Sequence, residues 1–278
     1  MTHSPRSVRQ ALVQSGLVPV DAQVLLAHVL GVDRAWLAGH ATDPLRDGDA
    51  MRFLDLARQR RVGVPVAHLV GRREFWTLDL EITPDVLIPR PETEVAVEQA
   101  LLRIAPDRPA RVLDLGTGSG AIALALAHER PRASVVATDR SPEALEVAQR
   151  NATRNGVANV VFALSDWYSA LPPQRFDAIV SNPPYVRADD PHLGQDDVRY
   201  EPPAALVAGA DGLESLRVII ADASRWLADG GWLIVEHGYD QVDRVRDLMN
   251  EAGLAAVVST RDLAGIPRVL SGRLPAGR

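Results

Sequence analysis

Residues 110–130 read "ARVLDLGTGSGAIALALAHER" and contain the transition on which the predicted fold depends. The apolar run "ARVLDL" is typical of a buried strand, and "AIALALAHER" is typical of a helix that packs on a sheet. Three glycines, Gly116, Gly118 and Gly120, lie between them. Because glycine has no Cβ, such a loop turns tightly and lets a ligand approach the backbone. The stretch therefore predicts a strand, a ligand-binding loop and a helix in succession.

The same alternation continues through residues 89–278. The β-type runs "ASVVATD", "FDAIVSN" and "GGWLIVEHG" are separated by helical patterns of ten or more residues. Strands that alternate with helices predict right-handed crossovers and a parallel sheet covered on both faces. We therefore expect an α/β, Rossmann-like domain with a mainly parallel sheet.

The chain before residue 89 has a different pattern. Residues 1–74 carry apolar residues at three- and four-residue spacing, which predicts a small domain of short helices. The following "EFWTLDLEITPDVLIP" alternates bulky apolar and polar residues around Thr83-Pro84-Asp85, as in a β-hairpin. We interpret residues 75–88 as a hairpin linker between the two domains.

Composition excludes several classes of protein. The 278 residues include no cysteine, so disulfides, thiolate metal sites and cysteine nucleophiles are excluded. A net charge of −6 argues against a surface built to coat nucleic acid, and no apolar run is long enough to span a bilayer. The histidines show no metal-ligand spacing. We expect a cytoplasmic protein with no metal site, no stable nucleic-acid partner and no membrane association.

One local exception to the acidic balance is a cluster of arginines. It comprises Arg58, Arg60, Arg61, Arg72 and Arg73. A solvated face is the favoured interpretation, and a docking patch for an acidic or RNA-bearing partner is the alternative.

Ligands of such sheets bind beyond the carboxyl ends of the strands, where several unusual residues are expected to meet. Asp139 ends the strand after the glycine loop, at the spacing where an acid accepts ribose hydroxyls. Gly116-x-Gly118-x-x-Ala121 also fits a dinucleotide fingerprint, so the glycines leave a nicotinamide-dependent oxidoreductase open. Asp114 would repel a pyrophosphate but suits a cationic ligand, which favours S-adenosyl-L-methionine.

The segment "LSDW" ends the next strand. Asp166 is positioned to accept the amino group of an adenine, and Trp167 to cover the purine face. A helix cap beside a half-buried tryptophan is an equal alternative from these residues alone.

The segment "SNPPY" ends a further strand. Pro183 restricts Asn182 to extended geometry, which aims the asparagine side chain. The Asn182 side-chain oxygen and the Pro183 carbonyl are candidates to accept the two hydrogens of a planar NH₂ group. Such bonds strengthen as positive charge develops on the nitrogen, and Tyr185 is expected to pack against the flat group. With Pro184, these residues predict a site that holds an NH₂ group opposite a methyl donor.

Together these motifs resemble those of the release factor glutamine N5-methyltransferase family. The matching segments occur in the family's order: "LIPRPETE", "DLGTGSGAIALALA", "SNPPY", "RYEPPAALVAGADGL", "EHG" and "RDLAGIPRVLSGR". The resemblance covers most of the chain and implies a class I methyltransferase domain preceded by helices and a hairpin. It implies methyl transfer from S-adenosyl-L-methionine to the glutamine of the Gly-Gly-Gln tripeptide in class 1 peptide-chain release factors.

The resemblance also implies residue roles. Cofactor binding falls to Gly116, Thr117, Gly118, Ser119, Gly120, Asp139, Trp167 and Asn182. Residues 182–185 would hold the glutamine amide, with Arg90 and Glu201 near the pocket, and the N-terminal helices would grip the release factor. We expect a monomer.

Other functions stay open at this point. A glutamine methyltransferase of a ribosomal protein, which shares "NPPY", is the closest alternative, and methyltransferases for exocyclic amines of adenine or guanine are the next. The acidic net charge disfavours a nucleic-acid substrate. A non-catalytic binding module is a further alternative, and affinity for S-adenosylmethionine would argue against it.

Overall fold

The computed structural model describes residues 5–276, apart from the side chain of Asp196. The chain forms two compact units. The first contains the residues up to Arg72 together with Gly194–Tyr200, and the second contains Arg73–Leu193 together with the residues from Glu201 onward.

The first unit is helical. Its helices are α1 (Val8–Gln14), α2 (Pro19–Leu30), α3 (Arg34–Gly39), α4 (Asp47–Arg61) and α5 (Val66–Val70). Its core contains the fully buried Leu25, Leu26 and Phe53, which lie at the apolar positions of α2 and α4. The periodicity predicts α1, α2 and α4. It does not predict α3 and α5, which have six and five residues and are too short for a periodic pattern to emerge.

The segment Gly194–Tyr200 packs within this helical unit, although the sequence prediction includes it in the C-terminal domain. Arg60 donates to Asp21 at 2.7 Å and also pairs with Asp197 of the segment. The Tyr200 hydroxyl donates to the Val62 carbonyl at 3.0 Å. These partners are 137 and 138 residues apart in the chain, so no local pattern reveals the pairing.

Three arginines of the basic cluster make internal bonds in the first unit. Arg58 pairs with Asp55, Arg60 pairs as described above, and Arg61 donates to the Ser15 carbonyl at 2.6 Å. These contacts favour a structural role for this part of the cluster over a free docking patch.

The second unit is α/β. Its helices are α6 (Glu94–Leu101), α7 (Ala121–Glu129), α8 (Pro142–Arg154), α9 (Glu214–Trp226) and α10 (Val242–Glu251). The strands are β1 (Arg72–Phe75), β2 (Leu78–Glu81), β3 (Arg111–Leu115), β4 (Ser134–Asp139), β5 (Val160–Leu164), β6 (Phe176–Ser181), β7 (Leu227–Glu236), β8 (Ala255–Arg261) and β9 (Pro267–Arg273). Arg72, the first residue of β1, is the last residue assigned to the first unit before the chain passes into the second.

Seven strands form one sheet in the order β5-β4-β3-β6-β7-β9-β8. The pairs among β5, β4, β3, β6 and β7 are parallel, and β9 runs antiparallel to both β7 and β8. The predicted mainly parallel, Rossmann-like sheet is therefore confirmed. From β3 the chain continues to β4 and β5 on one side, and from β6 it continues to β7 on the other side. The topological switch point therefore lies between β3 and β6.

The strand register brings the polar strand ends to one edge of the sheet. Leu115 of β3 pairs with Thr138 of β4 and with Ser181 of β6, and Ser181 pairs with Val235 of β7. Asp139, Asn182 and Glu236 therefore emerge side by side, as the rule for the carboxyl ends of parallel strands requires.

The hairpin differs from its prediction. The turn between β1 and β2 lies at Trp76-Thr77, so the turn predicted at Thr83-Pro84-Asp85 is wrong and follows β2 instead. Trp76 takes a φ of 57°, which a bulky residue rarely adopts. Its backbone N–H donates to Glu94 Oε1 at 2.9 Å, a tertiary contact that stabilises the unusual turn.

Two asparagines, one in α8 and one at its C-terminal end, bind the hairpin. Asn151 accepts from Glu81 N at 2.6 Å and donates to Glu81 O at 3.1 Å. Asn155, one turn further on, makes the same pair of bonds to Asp79, each of 3.1 Å. The two amides thus replace the hydrogen bonds of a neighbouring strand, and β2 packs as part of the second unit.

Candidate active site

A cavity of about 530 Å³ opens at the carboxyl edge of the sheet in the second unit. This volume lies in the range of small-molecule sites. Nine predicted site residues line it: Gly116, Thr117, Gly118, Ser119, Asp139, Asp166, Trp167, Asn182 and Pro184. The structure therefore brings the motifs of four strand ends to one wall.

The glycine loop owes its conformation to backbone freedom and to Asp139. Gly116, Gly118 and Gly120 all have positive φ, at 71°, 54° and 85°. Asp139 Oδ2 accepts from Gly118 N at 2.9 Å, and Oδ1 accepts from Ser141 N at 3.0 Å. Each carboxylate oxygen keeps further lone pairs for a ligand hydroxyl. Asp139 can therefore order the loop and bind a ligand in the cavity at the same time.

Gly120 has a different place from its two partners. It does not line the cavity but lies at the start of α7. A Cβ there would lie 3.0 Å from Leu124 Cδ1 and 3.2 Å from the Ala148 Cβ. The absence of a Cβ at residue 120 permits α7 and α8 to pack closely beneath the loop.

Asp114 is fully buried and lies off the cavity wall. Its Oδ2 accepts from the Thr117 hydroxyl at 2.7 Å and from Ala123 N at 3.2 Å, so it joins β3 to the loop and to α7. Burial raises the pKa of Asp114 to about 7, although the Thr117 and Ala123 bonds oppose the rise. Its Oδ1 has no hydrogen-bond partner among the described residues. The predicted contact with a cation stays a prediction, whereas the contacts present stabilise the loop.

Trp167 is held in a conformation that is rare for its residue type. Its φ is 50°, and its ring lies where a Cβ on Gly116 would approach to 3.4 Å. Ser165 fixes this turn: its hydroxyl donates to the Trp167 carbonyl at 2.9 Å and accepts from Ala170 N at 3.0 Å. Such strain persists where surrounding contacts over-determine it and is concentrated at ligand sites. Asp166 beside it is exposed and lines the cavity.

The segment "NPPY" divides between the cavity and the interior. Asn182 and Pro184 line the cavity, whereas Pro183 is buried and Tyr185 packs partly buried against the core. Asn182 Nδ2 donates to the Thr93 hydroxyl at 3.0 Å. This bond uses one of the two Asn182 amide hydrogens, and the predicted role of the Asn182 oxygen as an acceptor stays a prediction.

Tyr185 does not line the cavity. Its hydroxyl donates to Glu236 Oε1 at 3.1 Å, and its carbonyl accepts from Gln241 Nε2 at 2.9 Å. Burial, and secondarily the charge of Glu236, raises the pKa of Tyr185 far above its usual value, so the phenol stays protonated as a donor. The predicted packing of Tyr185 on a substrate group stays a prediction.

Arg90 and Glu201 pair with each other. The Glu201 side chain is buried, accepts from the Arg90 guanidinium and accepts from Ile88 N at 3.3 Å. Neither lines the cavity, but their neighbours Pro89 and Pro202 do. Their pairing therefore supports the two chain segments that form this part of the wall.

Sequence reasoning missed Thr93 and Glu236. Both are buried, Thr93 lines the cavity, and each lies within a motif that the sequence analysis quotes, "LIPRPETE" and "EHG". Burial raises the pKa of Glu236 to about 7, and the nearby hydroxyls of Thr93 and Tyr185 and the charge of Arg268 oppose the rise. Each motif carries several polar residues, and the sequence offers no signal that singles out Thr93 or Glu236 among them.

The donor set fits a nucleoside cofactor better than a metal. The cavity is lined by Asp139, whose oxygens keep free lone pairs, by Gly118 and by the Trp167 ring. A ligand can approach the Gly118 backbone, because even an added Cβ there would meet no atom within 4 Å. Within residues 5–276, apart from the Asp196 side chain, no three His, Asp or Glu side chains are grouped as metal ligands. In the same residues no helix is both long and apolar enough to cross a membrane.

Comparison with known proteins first defines the class. Residues 96–199 match the family model described as the methyltransferase small domain, and residues 6–71 match the PrmC N-terminal domain. A crystal structure of a methyltransferase from Pyrococcus furiosus superposes with a TM-score of 0.56 at 20% identity, over 78% of this chain and 98% of that one. That likeness concerns the fold, and with the family match it makes the second unit a class I methyltransferase domain.

Full-length relatives define the family. A release factor glutamine methyltransferase of Xylella fastidiosa (strain 9a5c) is 54% identical over 92% of this chain and 93% of its own length. One of Escherichia coli (strain K12) is 48% identical over 91% of each chain. The chain belongs to the release factor glutamine methyltransferase family. The resemblance inferred from the motifs is thereby confirmed, and so is the expectation of a methyltransferase.

Proposed function

We propose that this protein transfers a methyl group from S-adenosyl-L-methionine to the side-chain amide nitrogen of the glutamine in the Gly-Gly-Gln motif of class 1 peptide-chain release factors. The observation that carries the proposal is the setting of Asn182. Its nitrogen donates to Thr93, and its oxygen would be the acceptor on the wall of a cavity that also contains the glycine loop and Asp139. Family membership supports the choice of substrate.

The cofactor end of the cavity would be formed by the glycine loop and the next two strand ends. Asp139 would accept the ribose hydroxyls, Trp167 would cover the adenine, and Asp166 would accept its amino group. When bound, S-adenosylmethionine supplies an electrophilic methyl group on a sulfonium centre. The unpartnered Asp114 Oδ1 supplies negative potential beneath the loop when the carboxyl is ionised.

The amide end would hold the substrate nitrogen. The Asn182 oxygen and the Pro183 carbonyl would accept the two amide hydrogens and orient the nitrogen toward the methyl carbon. A carboxamide nitrogen is a weak nucleophile because its lone pair is delocalised, and acceptors that face its hydrogens stabilise the positive charge that develops during transfer. Holding both reactants in one cavity lowers the activation free energy further, because the reactants are already oriented for transfer.

The proposed reaction balances without an external oxidant or base. A nitrogen–carbon bond forms as the sulfur–carbon bond breaks, and the products are N5-methylglutamine and S-adenosyl-L-homocysteine. The methylated nitrogen then loses one proton, first held at the Asn182 oxygen or the Pro183 carbonyl by a hydrogen bond and then released to solvent. A protonated amide is strongly acidic, so no strong base is needed.

The partner part of the proposal concerns the first unit. Its helices would contact the release factor, and its match to the PrmC N-terminal domain supports this role. We further propose that the protein acts as a monomer in the cytoplasm, without a stable nucleic-acid or membrane partner.

The test is transfer of a radiolabelled methyl group from S-adenosylmethionine to a purified class 1 release factor. A matched substrate in which the Gly-Gly-Gln glutamine is alanine runs beside it. Label on the first and none on the second supports reaction, substrate and target residue together. Label on both would reject the target residue. Label on neither, with intact cofactor binding, would reject the release factor and make a glutamine-bearing ribosomal protein the next substrate.

A further inference from the structure

A chain of four polar side chains, here called the relay, runs behind the cavity wall and links both ends of "NPPY". It consists of Asn182, Thr93, Glu236 and Tyr185. Asn182 Nδ2 donates to Thr93 Oγ1 at 3.0 Å, and the Tyr185 hydroxyl donates to Glu236 Oε1 at 3.1 Å. Thr93 and Glu236 are exposed by only 3% and 1%. The Thr93 hydroxyl is near enough to the Glu236 carboxyl to lower its pKa, and Glu236 Oε2 has no hydrogen-bond partner among the described residues.

The chemistry of these groups gives the relay a direction. An ionised carboxylate only accepts hydrogen bonds, whereas a hydroxyl donates one and accepts others. If Thr93 gives its hydrogen to Glu236, its oxygen can only accept, and the group that faces it must donate. The Asn182 nitrogen meets that condition and the Asn182 oxygen does not.

We propose that Glu236 is a positioning residue that sets the orientation of the Asn182 amide through Thr93, so that an acceptor rather than a donor faces the substrate nitrogen. Thr93 alone cannot set this orientation, because its hydroxyl rotates. Tyr185 donates to Glu236 Oε1, whereas Oε2 has no hydrogen-bond partner among the described residues and is the oxygen that we assign to the Thr93 hydroxyl.

The inference rests on the proposed function for its catalytic consequence but not for its geometry. A substrate NH₂ group that met the Asn182 nitrogen would face two hydrogens and lose an acceptor at once. The relay therefore determines whether the Asn182 oxygen accepts from the substrate NH₂ group or the Asn182 nitrogen repels it. The shape of the cavity is the same in both cases.

Replacing one oxygen of Glu236 by nitrogen reverses the relay. In Glu236→Gln, the Tyr185 hydroxyl still requires the remaining oxygen, so the new NH₂ group faces Thr93 and donates to it. Thr93 then donates to the Asn182 oxygen, and the asparagine nitrogen turns toward the cavity. Protonation of Glu236 on Oε2 produces the same reversal.

The groups that face Glu236 determine at which pH this happens. On β9 the Arg268 guanidinium, itself paired with Asp262, favours the ionised form. Glu92, before α6, favours the protonated form of Glu236. His237 follows Glu236 in the chain and is buried, and burial lowers its pKa. Because burial raises the pKa of Glu236 to about 7, we expect methyl transfer to fall as the pH drops through about 7.

The experiment uses the full-length enzyme with labelled S-adenosylmethionine and a class 1 release factor, from pH 6 to pH 9. Glu236→Gln should lower kcat by at least about tenfold at pH 8, as for loss of a preorganised polar contact. It should keep cofactor affinity, measured by calorimetry, within about twofold, and it should abolish the acidic limb of the pH profile. A merely structural role would leave that limb in place.

Four further variants test the assignment. Thr93→Ser keeps the hydroxyl and should retain kcat within about threefold, whereas Thr93→Val should not. In the Thr93→Val background the relay is already cut, so adding Glu236→Gln should change kcat little. Glu92→Gln removes a charge without touching the relay, so it should move the acidic limb to lower pH and leave kcat at pH 8 unchanged.

A second readout needs no substrate. In wild-type enzyme with labelled asparagine, the Asn182 amide protons should show nuclear Overhauser contacts to Thr93, and Glu236→Gln should lose them. Unchanged contacts, or wild-type kcat in Glu236→Gln, would overturn the inference. If wild-type enzyme does not methylate the release factor, the proposed function fails, and the amide contacts still decide the relay. Should Glu236→Gln not fold, absence of these contacts in wild type, or equally strong contacts of the Asn182 amide protons to residue 93 in Thr93→Val, would overturn it.

Discussion

The two ends of the cavity are built in different ways. At the cofactor end, Gly116, Gly118 and Asp139 come from one strand-loop-helix unit and the strand that follows it. At the amide end, Asn182 depends on Thr93, 89 residues earlier, and Tyr185 depends on Glu236, 51 residues later. The first end is organised by backbone conformation, and the second by side chains that converge from distant segments. The comparison teaches that the residue that meets the substrate and the residue that orients it need not share a motif.

The largest effect is expected at the amide end. Asn182→Ala removes the side-chain acceptor and should lower kcat about a hundredfold or more, as for removal of one preorganised polar group. Cofactor affinity should change by less than about threefold, which calorimetry with S-adenosylmethionine checks beside the methyl-transfer assay. Asn159→Ala is the matched control, because Asn159 donates to three carbonyls away from the cavity. It should lower the Tm and spare kcat; equal loss of kcat in both would break the comparison.

The next effect is expected at the cofactor end. Asp139→Ala removes a ribose acceptor and the bond to Gly118 N, so S-adenosylmethionine affinity should fall by about tenfold or more. Titration calorimetry measures it directly. Transfer at saturating cofactor should fall much less than in Asn182→Ala. An unaltered dissociation constant would reject the cofactor role of Asp139.

A smaller effect tests how the amide end is shaped by its neighbours. Gly212 and Gly253 have nearly equal φ, at 75° and 79°, so alanine is strained at both, at a cost of about 1 kcal/mol. At Gly212 the added Cβ would lie 2.4 Å from the Tyr185 carbonyl, and at Gly253 it would meet no atom within 4 Å. Gly212→Ala should lower both stability and kcat, and Gly253→Ala should lower stability alone, as urea unfolding and the transfer assay will report. Normal transfer by Gly212→Ala would show that the Tyr185 backbone can shift without cost.

The smallest effect concerns Asp114, beneath the cofactor end. Its pKa is raised to about 7 from 3.8, so between these values the folded protein holds a proton that the unfolded chain has lost. The free energy of unfolding should therefore fall as the pH rises, by about 1 kcal/mol between pH 6 and pH 7, and level off above pH 7. Asp114→Asn cannot lose that proton and should show a shallower fall in urea unfolding at these pH values. The Glu236 contribution is common to both proteins, so the difference isolates Asp114. Identical slopes would mean that Asp114 is ionised in the fold at pH 6.

Much of the site was predictable because it follows from local rules. A glycine loop after a buried strand, an acid at the end of the next strand and "NPPY" after a third converge by the geometry of parallel sheets. Local rules also apply at the start of α8, where Ser141 is the N-cap and Pro142 the first helical residue. The hairpin turn was predicted wrongly because Trp76 adopts a strained conformation that a contact to Glu94 stabilises.

The sequence by itself determined the class of fold, the edge of the sheet at which the site lies, and nine of the residues that line the cavity. These depend on hydrophobic periodicity and on backbone constraints, which act over a few residues. Only the tertiary structure decided that Asp114 lies beneath the loop, that Arg90 pairs with Glu201, that residues 194–200 pack with the helical unit, and that Thr93 and Glu236 lie behind Asn182. Each of these depends on burial and on hydrogen bonds between segments far apart in the chain, and the free energy of such contacts exists only once the chain has folded.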